Sequence, residues 1–425
     1  MAKIQTPVPV WLDCDPGHDD VFAIVMAAYH PSIQLLGVSA VYGNASLKHT
    51  LWNATSILTA ISKDNVIPVY AGAAKPVQRP PMAASADIHG ETGLDGTDLL
   101  PEPRVPAKST DLDTTLAAMA SALQAQPAGT AWLVATGTLT NVALLFDKYP
   151  DLVEHIAGLS IMGGAVGGGF TAAVAGEVDG KPRIGNRTAY AEFNILLDPE
   201  AAAQVFGNPR VARKTTLVPL DLTHLVLATA DVQDLLLHGP KGPSTSAPNT
   251  SGSAPSDSEA QNGEAQIDSE TLHTPQSPLT TSDSNAFSSA ALHGQGKTTL
   301  RTMLVQLLNF FADTYSKVFS ITAGPPLHDP IAVAAVLTGT DAEIPFVESL
   351  EAGGTPERYE VTVVTDGTTD EALAGQAETG RTVVKLLPPG AEGVRIPRGL
   401  DIPLFWKVME ECCTRADAAN VKNGR

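Results

Sequence analysis

Short apolar runs alternate with stretches of helical period along the first half of the chain. Val8 to Leu12, Leu35 to Val41, Val66 to Tyr70, Trp132 to Ala135, Leu159 to Met162 and Leu217 to Leu220 read as buried strands. Between them, Val21 to Tyr29, Leu47 to Ile61 and Leu112 to Gln126 space their apolar residues as helices do. This alternation predicts an α/β fold: an open, mostly parallel central sheet with helices on both faces. Later, Leu300, Met303, Leu304, Leu307, Leu308 and Phe311 mark one stripe of a long helix from Thr299 to Phe319. A helix over Ile331 to Leu337 and a strand pair, Tyr359 to Thr365 with Thr382 to Leu387, follow. A final helix begins near Ile402 and buries Phe405, Trp406, Val408 and Met409.

One segment breaks the pattern. Gly239 to Lys297 is dominated by Ser, Thr, Pro, Gly, Asn and Gln, with very few large apolar residues. Such a stretch buries too little surface to offset its ordering entropy, so it is expected to be a disordered insertion, tolerated within a surface loop. The motifs on either side must meet in one site, so residues 1–425 are read as a single catalytic domain.

Composition narrows the function classes. A formal net charge of −19 argues against nucleic-acid or anionic-membrane partners and is compatible with a neutral small molecule. No apolar run approaches the length of a membrane span, and Met1 to Pro7 lacks the apolar core of a signal peptide. Cys14, Cys412 and Cys413 form neither a disulfide framework nor a metal-ligand spacing, which points to a reducing, cytoplasmic setting.

The candidate chemistry concentrates in Asp13-Cys14-Asp15-Pro16-Gly17-His18-Asp19-Asp20, directly after the first strand. Four carboxylates in eight residues repel one another unless a cation neutralises them. An all-oxygen set of this kind suits a hard divalent ion, Ca²⁺ or Mg²⁺, rather than zinc. Helix capping accounts for one such Asp, not for four around a Pro-Gly turn. An EF-hand loop fails, because Gly17 comes too early and Ile24 and Val25 fill the closing region. Pro16-Gly17 also argues against a phosphatase of the aspartyl-phosphate type. In an open α/β sheet the motif falls at the carboxyl end of a strand, where such folds bind ligands.

Asp13 to Asp20 resembles the signature of the nucleoside hydrolases, the inosine–uridine preferring N-ribohydrolases. Further stretches agree in order: Val41-Tyr42-Gly43-Asn44, His89-Gly90-Glu91-Thr92-Gly93-Leu94, Ala135 to Asn141, Ile161 to Gly164, Ala191-Glu192-Phe193-Asn194 with Asp198-Pro199, and Pro326-Leu327-His328-Asp329-Pro330. The resemblance covers nearly the whole chain except the insertion. It implies hydrolysis of an N-glycosidic bond, most simply uridine and water to uracil and ribose, serving pyrimidine salvage. A broader preference, including purine nucleosides or nicotinamide riboside, and a catalytically silent binding module are the rival readings.

The same resemblance implies site roles. Asp15, Asp20, the carbonyl of Thr136 and Asp329 are the expected ligands of Ca²⁺, with Asp15 also the general base. Asp19, Asn44, Met162, Asn186, Glu192 and Asn194 are expected around the ribose, and Asp13 as an orienting partner of the cluster. His328 is expected to protonate or contact the leaving base, with His89 as a second residue of the base pocket. His18 is read as turning away from the site. Relatives of this kind are commonly dimers or tetramers, so a homo-oligomer is expected.

Overall fold

The computed structural model describes residues 6–82, 86–173, 176–178, 181–241, 295–351 and 353–425. Most of Gly239 to Lys297, the expected disordered insertion, lies outside the described residues.

Six parallel strands form the central sheet: β1 (Val8–Cys14), β2 (Ile33–Ala40), β3 (Val69–Ala71), β4 (Trp132–Ala135), β5 (Gly158–Met162) and β6 (Thr215–Val218). Their order across the sheet is β3-β2-β1-β4-β5-β6. The chain builds outward from β1 to one edge, then returns to β4 and builds to the other. The reversal between β1 and β4 opens a crevice at the carboxyl ends of the strands, the place where such sheets take ligands.

Both faces are covered, as the continuous apolar strands require. Val10, Leu12, Val134 and Val218 point into one core, shared with α1 (Asp20–Tyr29), α2 (Leu47–Ala60), α7 (Thr299–Phe319), α8 (Asp329–Ala334) and α9 (Ile402–Lys422). Trp11, Leu133, Leu159 and Leu217 point into the other, with α4 (Leu112–Gln124) and α5 (Thr140–Lys148). Two short helices, α3 (Ala86–His89) and α6 (Phe193–Leu197), sit above the strand ends. Antiparallel β7 (Tyr359–Val363) and β8 (Thr382–Leu386) form the expected strand pair.

Several boundaries differ from the sequence expectation for local reasons. β1 runs past Leu12 to Cys14, because Asp13 finds buried partners inside the sheet. Val66 is exposed and the third strand begins only at Val69, after Pro68, which has no N–H to give a ladder. The sixth strand stops at Val218, and Pro219 precedes a short helix that already contains Leu220. In α9, Phe405, Trp406, Met409 and both cysteines are buried, while Val408 is only partly so.

Candidate active site

The acidic run occupies the crevice at the end of β1. Asp13 Oδ1 accepts from the Ser39 hydroxyl and from Asn141 Nδ2 at 2.8 Å, tying β1 to β2 and the start of α5. Asp15 Oδ2 accepts from the Asn44 amide at 2.8 Å, and its Oδ1 is buried with no partner. Asp20 accepts from the Gly17 amide at 2.9 Å, from Asn44 Nδ2 at 3.3 Å and from the Thr136 hydroxyl at 2.8 Å. Two glycines make room for Asp15. A Cβ at Gly43 would lie 1.9 Å from its Oδ2, and one at Gly137 would lie 2.7 Å from its Oδ1.

None of these carboxylates is explained by capping. Asp19 precedes α1 and Asp329 begins α8, yet neither helix has a side-chain cap. Carboxylate oxygens of Asp19, Asp20 and Asp329 instead lie within 4.8 Å of one another. Asp19 thus belongs to the closest group, which the sequence reading assigned to the sugar alone.

Burial penalises this negative charge. It pushes Asp19 up to about 7, with the charge of Asp20 adding to the effect, and Asp20 up to about 6. Burial, with Asp20 second, raises Asp15 well above the usual carboxylate range; burial, with Asp19 second, does the same to Asp329. Four buried carboxyls held above their usual range and an orphaned Oδ1 on Asp15 are the chemistry of a cation site. The all-oxygen donor set fits a hard divalent ion.

A cavity of about 190 Å³ opens above the cluster. Asp19, Asn44, His89, Thr136, Met162, Asn186, Glu192, Asn194, His328 and Asp329, all expected from sequence, line it together. Asp15 and Asp20 are fully buried behind this lining, held by Asn44 and Thr136. Glu192 is the N-cap of α6: its carboxylate accepts from the amides of Asn194 (2.9 Å), Ile195 (3.1 Å) and Gly164 (2.9 Å). Asn194 Nδ2 donates to the Thr136 carbonyl at 2.8 Å and lies 3.6 Å from Met162 Sδ. Asn186 Oδ1 accepts from the Phe193 amide at 2.9 Å. Asn186, Glu192 and Asn194 are therefore also a rigid frame, each held by the backbone of a neighbour.

The opposite wall is aromatic. Phe311, Tyr315 and Phe319 recur every four residues along the last turns of α7 and all line the cavity. Phe311 stacks near His89, with ring centroids 5.2 Å apart. His328 Nε2 lies 2.7 Å from the Tyr315 hydroxyl and its Nδ1 lies 2.6 Å from the Thr223 hydroxyl. Both ring nitrogens of His328 are engaged, and burial keeps it neutral, well below its ordinary pKa. His89 is likewise buried and neutral. His18, as expected, does not line the cavity, but it packs directly behind a residue that does. Its buried Nδ1 lies 3.0 Å from His89 Nδ1 and its Nε2 lies 2.8 Å from the Asp95 carbonyl, so it props His89 from behind.

Sequence reasoning missed Tyr315, Phe319, Arg183 and Arg187, which also line the cavity. The four-residue aromatic spacing at the end of α7 was a usable signal. The two arginines lie in a loop with no motif to mark them. A wider, open groove between α2 and α7, lined by Trp52, Leu99 and Phe310, lies apart from the acidic cluster.

Comparison with known proteins fits this geometry. The family profile described as inosine-uridine preferring nucleoside hydrolase matches residues 10–407. The chain belongs to this family. It is 32% identical over 416 residues to the uridine nucleosidase of Saccharomyces cerevisiae, covering 96% of this chain and 97% of that protein. It is 40% identical over 229 residues to a pyrimidine-specific ribonucleoside hydrolase of Salmonella arizonae, covering 53% of this chain and 65% of that protein. The solved purine-preferring ribonucleoside hydrolase of Gardnerella vaginalis shares the fold, with a TM-score of 0.65 at 20% identity over 96% of this chain and 99% of that one. This nucleoside hydrolase is an enzyme of ribonucleoside hydrolysis, and the silent-module reading is set aside.

Proposed function

We propose that this enzyme hydrolyses uridine to uracil and ribose in the cytoplasm, in pyrimidine salvage, with Ca²⁺ in the acidic cluster. The observation that carries the reading is the convergence of Asp19, Asp20 and Asp329 at one end of a cavity whose other end is aromatic. The likeness to a uridine nucleosidase over nearly the full chain supports uridine as the substrate.

Asp15, Asp20, Asp329 and the Thr136 carbonyl would hold the ion, with Asp19 against them. When bound, Ca²⁺ supplies a lowered pKa for the attacking water and an anchor for the ribose diol. Asp15 takes the proton of that water through its unpartnered Oδ1. Asp19, Asn44, Asn186, Glu192 and Asn194 offer the mixed donors and acceptors that sugar hydroxyls need. The Met162 side chain closes the cavity beside Asn194. His89 and Phe311 flank the base, and His328 acts on it through the Tyr315 hydroxyl.

The test is purified protein incubated with uridine, cytidine, inosine and nicotinamide riboside, with and without chelator. Chelator-sensitive release of uracil, faster than release of the other bases, is the expected result. Faster release of hypoxanthine or nicotinamide would overturn the uridine assignment. Release indifferent to chelator would overturn the metal assignment.

A further inference from the structure

The cavity is electrically polarised along its length. Its acidic end holds Asp19, Asp329 and the carboxylates behind them. Toward the aromatic wall, Arg183 and Arg187 are the only lysine or arginine side chains lining it among the described residues, and Asp87 of α3 is the acidic residue on that side. Elsewhere in this acidic protein, arginines such as Arg79, Arg301, Arg395 and Arg398 lie within 2.9 Å of a carboxylate. Arg183 has no carboxylate partner among the described residues, and its Nε is buried without a hydrogen bond. Its guanidinium is fixed on the aromatic side of the cavity. It lies 5.3 Å from the centre of the Phe319 ring and donates from Nη2 to the Asn186 carbonyl at 2.8 Å.

Resting on the uridine reading above, we propose that Arg183 is a catalytic residue that stabilises the departing pyrimidine as an anion. As the C1′–N1 bond breaks, its electron pair moves to N1 and spreads onto the base carbonyl oxygens. The water oxygen bonds to C1′ and its proton goes to Asp15. Arg183 donates hydrogen bonds to the developing carbonyl charge and keeps its own protons. The uracil anion takes a proton from solvent after release. The transition state is positive at the sugar and negative at the base; the cavity sets the carboxylate cluster against the first and the Arg183 guanidinium toward the second. The need is specific to this leaving group. The N3 of uracil already carries a hydrogen, so the ring has no basic nitrogen to protonate, and both ring nitrogens of His328 are already engaged by Tyr315 and Thr223.

The experiment compares uridine with 5-fluorouridine, whose departing base is the better-stabilised anion, in the unsubstituted enzyme, Arg183→Ala and Arg183→Lys. Arg183→Ala is expected to lower kcat for uridine roughly 10²-fold, as loss of one such donor does. The loss on 5-fluorouridine should be several-fold smaller, and Arg183→Lys should recover part of the rate. Inhibition by free ribose should change far less than uridine turnover, since only the bond to the Asn186 carbonyl is lost at the sugar end. Equal losses on both substrates, or a change in KM alone, would overturn the proposal. So would unchanged uridine kinetics with lost inhibition by uridine 5′-monophosphate, which would make Arg183 a phosphate site. If Arg183→Ala does not fold, the charge-retaining Arg183→Lys carries the same comparison. Absence of uracil release by the unsubstituted enzyme is a different outcome: it sinks the uridine reading and the proposal with it.

Discussion

Asp15 carries the heaviest chemical demand of any single residue. Its Oδ2 is held by Asn44 while its Oδ1 is left for a ligand. Asp15→Asn keeps the shape and removes the charge, so kcat should fall by roughly 10²–10⁴-fold with the circular dichroism spectrum unchanged. Metal binding should also carry a pH signature. Asp19 and Asp20 titrate near 7 and 6 in the folded chain, against 3.8 for a free carboxyl. Between about pH 4 and 7 the metal-free fold therefore binds protons that the unfolded chain has released. That contribution to stability is present at low pH and is lost as pH rises. A cation replaces those protons, so the rise in Tm on adding Ca²⁺ should be small near pH 5 and grow as pH rises through about 7. Buried histidines oppose the carboxyl trend in absolute Tm but cancel in this difference. A Ca²⁺ effect that shrinks with rising pH would contradict the assignment. The carboxylates were legible in sequence because four charges in eight residues have few physical excuses. Arg183 was not, because its meaning lies in the absence of a carboxylate partner among the described residues, which only the fold reveals.

At the scale of elements, the site depends on where strands end and how one long helix is anchored. Gly43→Ala places a methyl group against Asp15 Oδ2, so it should cost activity far beyond its effect on Tm. Comparing kcat with thermal unfolding separates the two. The helix α7 supplies Phe311, Tyr315 and Phe319 at one end and is fixed at the other by Arg301. That fully buried guanidinium donates to Asp417 at 2.7 Å, to Glu410 at 2.9 Å and to the Leu236 carbonyl at 2.9 Å. Arg301→Ala leaves two carboxylates with only the more distant Lys297, at 3.8 and 4.0 Å, as cationic partner and should destabilise the fold by about 3 kcal/mol in urea unfolding. The helix itself was readable from its apolar stripe. Its second role was not, because Phe311 sits on that same stripe and reads as core. The strand ends show a similar limit. Periodicity stopped β1 at Leu12, whereas the polar Asp13 is paid into the sheet by Ser39 and Asn141, contacts distant in sequence.

For the whole molecule, motifs from residues 13 to 329 converge on one crevice, although the insertion interrupts the chain between them. The two ends of that insertion meet: the Lys297 amide donates to the Leu237 carbonyl at 3.0 Å. Replacing residues 242–294 with a short Gly/Ser linker should therefore leave kcat/KM for uridine within about twofold, because loop length costs little once the ends are fixed. A large loss would assign the segment a part in the site. The central claim is that water attacks the sugar carbon at this crevice. The most direct measurement is turnover of uridine in ¹⁸O-enriched water, with mass spectrometry of both products. The label should appear in ribose and none in uracil. Label in uracil, or ribose released without it, would contradict the account.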